Sequence, residues 1–422
     1  MNALAKGSAN DGDSVVSTTI DVRDSSSSGV ALPSLIDVAK KLAPALRERA
    51  AETNRLRRLP EATWHDLIDS GILRGLQPSR WGGGEVHLKD FYGAAMEVAR
   101  AEGCAGWIAG VVGVHPWQMA LFPRRTQEEF WGEDPTVMFS SSYVPTGMAE
   151  RVADGFRLKG RWSFSSGCDH CTWVMLGAML GSVEYEGRQV PDFRSFLLPR
   201  EDYRIDDNWQ VAGLAGTGSK DIVVDGAFVP DHRSQSHWDY VRDLALPGWE
   251  LNPGPLYRLP FAVVFLRTLT ATVLGAAEGF LDGWIEISRN RISFGQKVSE
   301  DPLTQEVAAE ASYTIKTVKL RFLQECDDVM QAARAGNSLS LVERAELRYS
   351  SVRAAQLANR AVDRLFAASG GHAIFFDHPL QRRYQDIKAM MAHVALNPNL
   401  PIKLYGSALL ALPISIPVGM GI

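Results

Sequence analysis

From Leu35 onward, apolar residues recur three and four positions apart: Leu35, Val38, Ala39, Leu42 and Leu46. This spacing places them on one stripe of a helix. A second helix is expected from Pro60, a favourable first-turn residue, to about Gly71, burying Trp64, Leu67 and Ile68. WGGGEV (81–86) reads as a glycine loop, and a helical stretch follows from Leu88 to about Ala101. CAGWIAGVVGVH (104–115), apolar and rich in small residues, predicts a tightly packed buried helix. Thr126 and Glu129 have the spacing of a capping box for a short helix.

The period then changes. From Val137 to about Pro230 the chain reads as strands, with Phe156, Leu158, Trp162 and Phe164 on one side of a two-residue alternation. TWVMLGAML, FRSFLLP and DIVVDGAFVP are further β-rich runs, and 246–260 is a connection punctuated by proline and glycine. Beyond it the helical period returns over roughly 261–290, 303–335, 339–369 and 379–396, all alanine-rich as in closely packed helices. This order predicts an α+β chain: a helical domain over 32–135, a β domain over 136–245 and a helical bundle over 246–422. Residues 1–31, rich in Ser, Asp, Gly and Thr, read as a disordered leader.

Composition narrows the function classes. The 422 residues are 45% apolar and 22% charged, with net charge −5, so no global field attracts nucleic acid. Basic residues are dispersed apart from pairs such as Arg57-Arg58 and Arg382-Arg383. No apolar run reaches the roughly 18–20 residues that span a bilayer, and no signal pattern opens the chain. A cytoplasmic protein without nucleic-acid or membrane partners is expected. Four cysteines in so long a chain do not make a disulfide framework.

SFSSGCDHC (163–171) invites a zinc or redox reading, but a second Cys/His pair at suitable spacing is absent, and so is the βαβ context of a thioredoxin-like motif. No metal is expected. GLAGTGSK (213–220) has P-loop-like glycines, yet a β-like stretch follows where a helix is needed. His393, in AMMAHVALNP, and His115, before Pro116 and Trp117, each read as a core histidine or a chemical one. In RNRISFG (289–295), Arg291, Phe294 and Gly295 form R-x-x-F-G, which suits either a phosphate-binding guanidinium or an exposed basic turn.

Taken together, these pieces resemble the acyl-CoA dehydrogenase superfamily over about residues 33–400. R-I-S-F-G is similar to its flavin-phosphate arginine motif, and AASGGHAIF (367–375) to its Gly-Gly segment against the flavin. GVHPWQMALFPRRTQEEFWGEDP (113–135), SSSYVPTG (140–147), WSFSSGCDH (162–170) and DNWQVAGLAGTGS (207–219) resemble one branch. That branch is the oxygenase components of two-component flavin-dependent aromatic monooxygenases, of the p-hydroxyphenylacetate 3-hydroxylase and secosteroid phenol hydroxylase types. The resemblance implies an acyl-CoA dehydrogenase-like α+β fold with a middle β-barrel or sandwich and a C-terminal four-helix bundle. It implies reduced FMN or FAD, O2 as co-substrate, a flavin hydroperoxide that oxygenates a phenolic or indolic ring, and a homotetramer. No G-x-G-x-x-G follows a strand here, so a separate NAD(P)H-dependent flavin reductase is expected as partner.

By the same resemblance, Ser166 lies against the flavin near N5, with Ser165 its neighbour and Cys168, Asp169 and His170 as scaffold. Trp107 helps close the pocket. His393 acts as base or orienting group. His115 and Ser141 hold the substrate oxygen, with Ser142 as an alternative. Arg291 and Phe294 secure the flavin phosphate and adjoining moiety, and Gly370 and Gly371 allow close backbone approach. The chain also departs from the pattern: a second family histidine is replaced by Lys388, an Arg-Asp pair reads Gln385-Asp386, and a substrate-carboxylate arginine matches Arg258 only across a gap. The alternatives are an N- or S-oxygenase of the same fold, an acyl-CoA dehydrogenase or oxidase, and a non-enzymatic helical scaffold. A dehydrogenase needs a carboxylate base, and NPNLPIKLYGSALLALP holds no acidic residue.

Overall fold

Helices, then strands, then long helices follow one another along the chain in the computed structural model, which describes residues 34–185, 187–241 and 245–414. The leader over 1–31 lies outside the described residues. The first layer comprises α1 (Leu35–Glu48), α2 (Ala50–Leu56), α3 (Glu61–Asp69), α4 (Leu88–Ala101), α5 (Gly103–Val111), α6 (His115–Met119) and α7 (Arg124–Trp131). Ser34 caps α1 by accepting from the Asp37 amide, and α3 buries Trp64, Leu67 and Ile68 as the spacing requires.

Two local expectations fail here. The apolar stretch 104–115 is not one helix: α5 stops at Val111, and His115 opens α6. The capping box at Thr126 does not form. The helix begins earlier, after Pro123; the Thr126 hydroxyl donates to the His232 carbonyl at 2.5 Å, and Glu129 pairs with His232 and Arg233. Tertiary partners have displaced the local cap.

Seven strands form one sheet in the order β5-β6-β2-β1-β3-β4-β7. They are β1 (Phe139–Val152), β2 (Gly155–Ser165), β3 (Trp173–Tyr185), β4 (Arg188–Pro199), β5 (Arg204–Asp206), β6 (Lys220–Pro230) and β7 (Ser234–Ser236). Only β1 and β3 run parallel; the other pairings are antiparallel. Phe156, Leu158 and Trp162 face the sheet core with Phe196, Ile222 and Val224. Phe164 does not join them. The β2–β6 register shifts between Trp162 and Ser165, Phe164 takes φ +68°, and its ring is 67% exposed while Ser165 turns inward. A bulge breaks the two-residue period, so the alternation no longer says which way a side chain points.

After α8 (His237–Val241), a π-helical turn over Ala262–Leu266 leads into α9 (Arg267–Asn290). A short hairpin, β8 (Ile292–Ser293) and β9 (Gln296–Lys297), precedes α10 (Pro302–Arg334), α11 (Leu341–Ala367), α12 (Pro379–Met391) and α13 (Asn399–Leu409). Phe294 and Gly295 make the hairpin turn at φ +50° and +80°, the left-handed pair that a two-residue turn demands. Helix α9 packs on α4, α5, α10, α11 and α12. A Cβ added at Gly275 or Gly279 would lie 2.1 or 2.2 Å from a carbonyl oxygen of α4, so only glycine permits this approach.

Contrary to the reading of the apolar runs, Ala262–Asn290 is long and apolar enough to cross a bilayer. Yet 83% of its apolar window is buried inside the protein, so that surface is spent on the core. The fold is α+β, with helices before and after a central sheet.

Candidate active site

The break between α5 and α6 sets the first corner of the site. His115 is fully buried, stacked on Phe139 and Phe265, with ring centroids 4.3 and 5.7 Å away. Its Nδ1 lies 2.6 Å from the Phe139 carbonyl, which can only accept, so Nδ1 carries the proton. Burial holds the pKa down at about 3, and the ring is neutral. Nε2 is therefore an acceptor, and the Ser141 hydroxyl 2.9 Å away donates to it. With its proton committed, the Ser141 oxygen is left to accept a hydrogen bond from a ligand hydroxyl.

A second corner forms where α5, the end of β2 and the 213–219 turn meet. The Trp107 indole N–H donates to Ser166 Oγ at 3.1 Å. Ser166 and Ser219 hydroxyls lie 2.7 Å apart, Ser219 and Thr217 hydroxyls also 2.7 Å, and Thr217 donates to the Leu214 carbonyl at 2.8 Å. Each hydroxyl has one proton, and the chain ends on an obligate acceptor. Its direction is thus set: Trp107 to Ser166 to Ser219 to Thr217 to Leu214. Ser166, only 6% exposed, presents lone pairs and not a proton.

His393 stands beside this chain, its ring centroid 5.9 Å from that of Trp107. It does not lie on α12, which stops at Met391; it caps a short 3-10 turn, with Nδ1 accepting from the Ala395 amide at 3.1 Å. The residue is exposed at the surface, yet protein packed around the ring, and then the Arg348 cation, lower its pKa to about 4. A neutral ring with Nδ1 occupied carries its proton on Nε2. In this arrangement His393 is a donor; it has no lone pair free to act as a base.

Arg291 and the glycine pair also come together. Both guanidinium Nη atoms donate to backbone, one to Ser369 O and the other to Ala368 O at 3.0 Å, bracing the segment that carries Gly370 (φ +79°) and Gly371. The buried Nε has no partner. Phe294 is fully exposed nearby in sequence, at the hairpin tip.

Other expected residues face inward. Ser165 bonds Ser140 at 2.9 Å and Ser142 bonds the Ser163 carbonyl at 2.7 Å, so both hydroxyls brace the strands. Cys168 and Cys171 are buried free thiols; Asp169 pairs with Lys220, and His170 donates to the Leu59 carbonyl while stacking on Trp64. Arg258, exposed, lies over Trp249, and Lys388 pairs with Asp363.

Two features escaped sequence reasoning. A buried polar string links Tyr143 to Gln118 at 2.5 Å, Gln118 to Tyr240 at 3.4 Å and Tyr240 to Gln235 at 2.8 Å, beside His237, which bonds Ser195 at 2.7 Å. The residues come from α6, α8 and three strands, so no local spacing signals them. The second is Asp386, buried against Glu102 and Cys104, its carboxylate accepting from the Leu214 amide at 2.7 Å.

Burial, then Glu102, raises the Asp386 pKa from 3.8 to about 7. A raised carboxyl pKa means the folded state binds its proton more tightly. That stability is present below about pH 3.8 and is lost as pH rises through about 7. Asp386→Asn still accepts from Leu214 and carries no charge. Its melting temperature is expected to exceed the parent's by a margin that widens from about pH 4 to pH 7 and then levels off. A margin independent of pH would contradict this account.

Comparison with known proteins bears on the fold and the activity. Residues 267–398 match the family described as acyl-CoA dehydrogenase, C-terminal domain. The chain is 40% identical over 377 residues to the flavin-dependent monooxygenase oxygenase subunit HsaA of Rhodococcus jostii, covering 89% of this chain and 97% of that protein. It is 27% identical over 384 residues to the p-hydroxyphenylacetate 3-hydroxylase oxygenase component of Acinetobacter baumannii, covering 90% and 89%. The crystal structure of 3-HSA hydroxylase from Rhodococcus sp. RHA1 superposes with TM-score 0.85 at 39% identity, covering 91% of this chain and 98% of that one. Fold and near full-length similarity place this chain in the family of oxygenase subunits of flavin-dependent monooxygenases, on the acyl-CoA dehydrogenase fold.

Proposed function

We propose that this oxygenase hydroxylates a phenolic or indolic small molecule, receiving reduced FMN or FAD from a separate NAD(P)H-dependent reductase in the cytoplasm. The observation that carries the substrate class is the Ser141–His115 pair: a hydroxyl whose own proton is committed accepts the O–H or N–H of an aromatic ring. Ring hydroxyls increase electron density at the ortho carbon as they are polarised, which is where an electrophilic oxygen adds. Full transfer of a phenol proton to His115 would cross about seven pKa units, on the order of 10 kcal/mol. The pair therefore orients and polarises the hydroxyl and does not remove its proton outright.

The flavin fits the second corner on one observation, that Ser166 is held as an acceptor in a water-poor wall beside Trp107, matching the N5–H of a reduced isoalloxazine. Reduced flavin, when bound, supplies the electrons that activate O2, one atom entering the ring and the other leaving as water. Ser166 would hold N5–H, His393 would donate from Nε2, and Trp107 would close the wall. The orphan Nε of Arg291 and the side-chain-free Gly370 and Gly371 suit a phosphate and its neighbouring moiety. Ile292, Phe294, Ile374, Phe375 and Phe376 are exposed apolar side chains that suit burial in a homotetramer. The division into domains at 32–135, 136–245 and 246–422 belongs to the same proposal.

The test is rapid mixing of the anaerobic protein, loaded with reduced FMN or FAD, with oxygenated buffer. A transient absorbance band distinct from reduced and oxidised flavin, decaying faster with a phenol or indole present and yielding hydroxylated product, is the expected result. Direct reoxidation without a band would sink the proposal and turn attention to acyl-CoA thioesters.

A further inference from the structure

Arg348, on α11, is 8% exposed, and no carboxylate among the described residues pairs with it. Nη1 is buried without a hydrogen-bond partner, and loss of hydration lowers the guanidinium pKa to about 10. An uncompensated buried cation costs several kcal/mol in general, so its retention calls for a role. Its other terminal nitrogen, Nη2, donates to the carbonyl of Ala395. The N–H of that same residue donates to His393 Nδ1. The guanidinium thus grips the turn that His393 caps, by the residue that occupies the ring's inner nitrogen.

We propose that Arg348 is a positioning residue for His393, holding the 394–396 turn so that Nδ1 stays occupied and Nε2–H points out beside Trp107. Two effects act together. Gripping Ala395 fixes where its amide sits, which fixes the tautomer of the ring. The positive charge, the one charged group acting on His393 among the described residues, disfavours a second proton. His393 is thereby kept a neutral donor through the physiological range. The proposal rests on the reading that His393 faces the flavin, but its geometry can be tested without flavin.

The experiment uses the full chain with histidine 13C/15N-labelled, and assigns His393 by difference against His393→Asn. In the parent, the His393 nitrogens are expected to report the Nε2–H tautomer at pH 7 and a pKa well below that of an exposed histidine. Arg348→Met, similar in volume but uncharged, is expected to move that pKa upward and mix the tautomers. Arg348→Lys retains a cation and is expected to keep the pKa low while loosening the tautomer.

In rapid mixing, loss of ring placement is expected to shorten the oxygen-dependent transient by about 10–100-fold in Arg348→Met, with partial recovery in Arg348→Lys. A parent His393 in the Nδ1–H form, or with an ordinary histidine pKa, overturns the proposal even if Arg348→Met does not fold. So does a folded Arg348→Met with unchanged tautomer, pKa and transient. Correct tautomers with no transient in the parent would instead refute the flavin reading and leave Arg348's role standing.

Discussion

Replacing His115 by asparagine is expected to slow single-turnover hydroxylation by about 10²–10⁴-fold, the usual worth of a group that activates a reacting hydroxyl. Asparagine still donates to the Phe139 carbonyl through its amide, but it removes the ring stacked on Phe139 and Phe265 and with it the Nε2 that accepts from Ser141. The Ser141 hydroxyl is then free to turn its proton toward the substrate, and an acceptor becomes a donor. Ser141→Ala is expected to cost a similar factor, and the double variant no more than the worse single one, because the two act as one device. Multiplying losses would show that they act independently. Since burial keeps the His115 pKa near 3, no limb of the pH–rate profile between pH 5 and 9 should vanish in His115→Asn. Disappearance of such a limb would mean that the ring titrates during turnover.

Ser166→Ala is the second large effect. It removes the oxygen to which the Trp107 indole donates and leaves Ser219 without the proton it accepts. The oxygen-dependent transient is expected to shorten by about 10²-fold, with hydrogen peroxide released in place of hydroxylated product. Ser219→Ala gives the more telling result. It leaves Ser166 in place but frees its proton, so that Ser166 can present a donor where N5–H needs an acceptor. An intermediate shortening, with flavin affinity little changed, is expected from rapid mixing and equilibrium titration. If Ser219→Ala matches the parent, the direction of the hydroxyl chain does not matter and only the Ser166 oxygen does.

The flavin-site candidates that carry these arguments are split by the structure in a way their shared motif did not reveal. Ser165 and Ser166 are neighbours in sequence, yet one is sealed against Ser140 and the other stands in the chain from Trp107. The bulge that exposes Phe164 is responsible, since it reverses the alternation one residue before them. His393 stood out as a candidate from its motif, but which of its nitrogens carries the proton depends on the Ala395 amide, itself on the residue that Arg348 of α11, 45 positions earlier, holds by its carbonyl.

Periodicity along the chain was sufficient for the broad order of helices and strands and for the buried faces of α1 and α3, because each depends on residues three or four positions apart. Quoted motifs such as SFSSGCDH were sufficient for the family, because they keep residue types in a row. Proton direction was not available at that level. Whether Ser166 accepts, whether His115 is neutral and whether Asp386 keeps its proton depend on partners from other elements and on how far water is excluded. Hydrogen-bond direction and desolvation are properties of a three-dimensional neighbourhood, and no one-dimensional spacing encodes them.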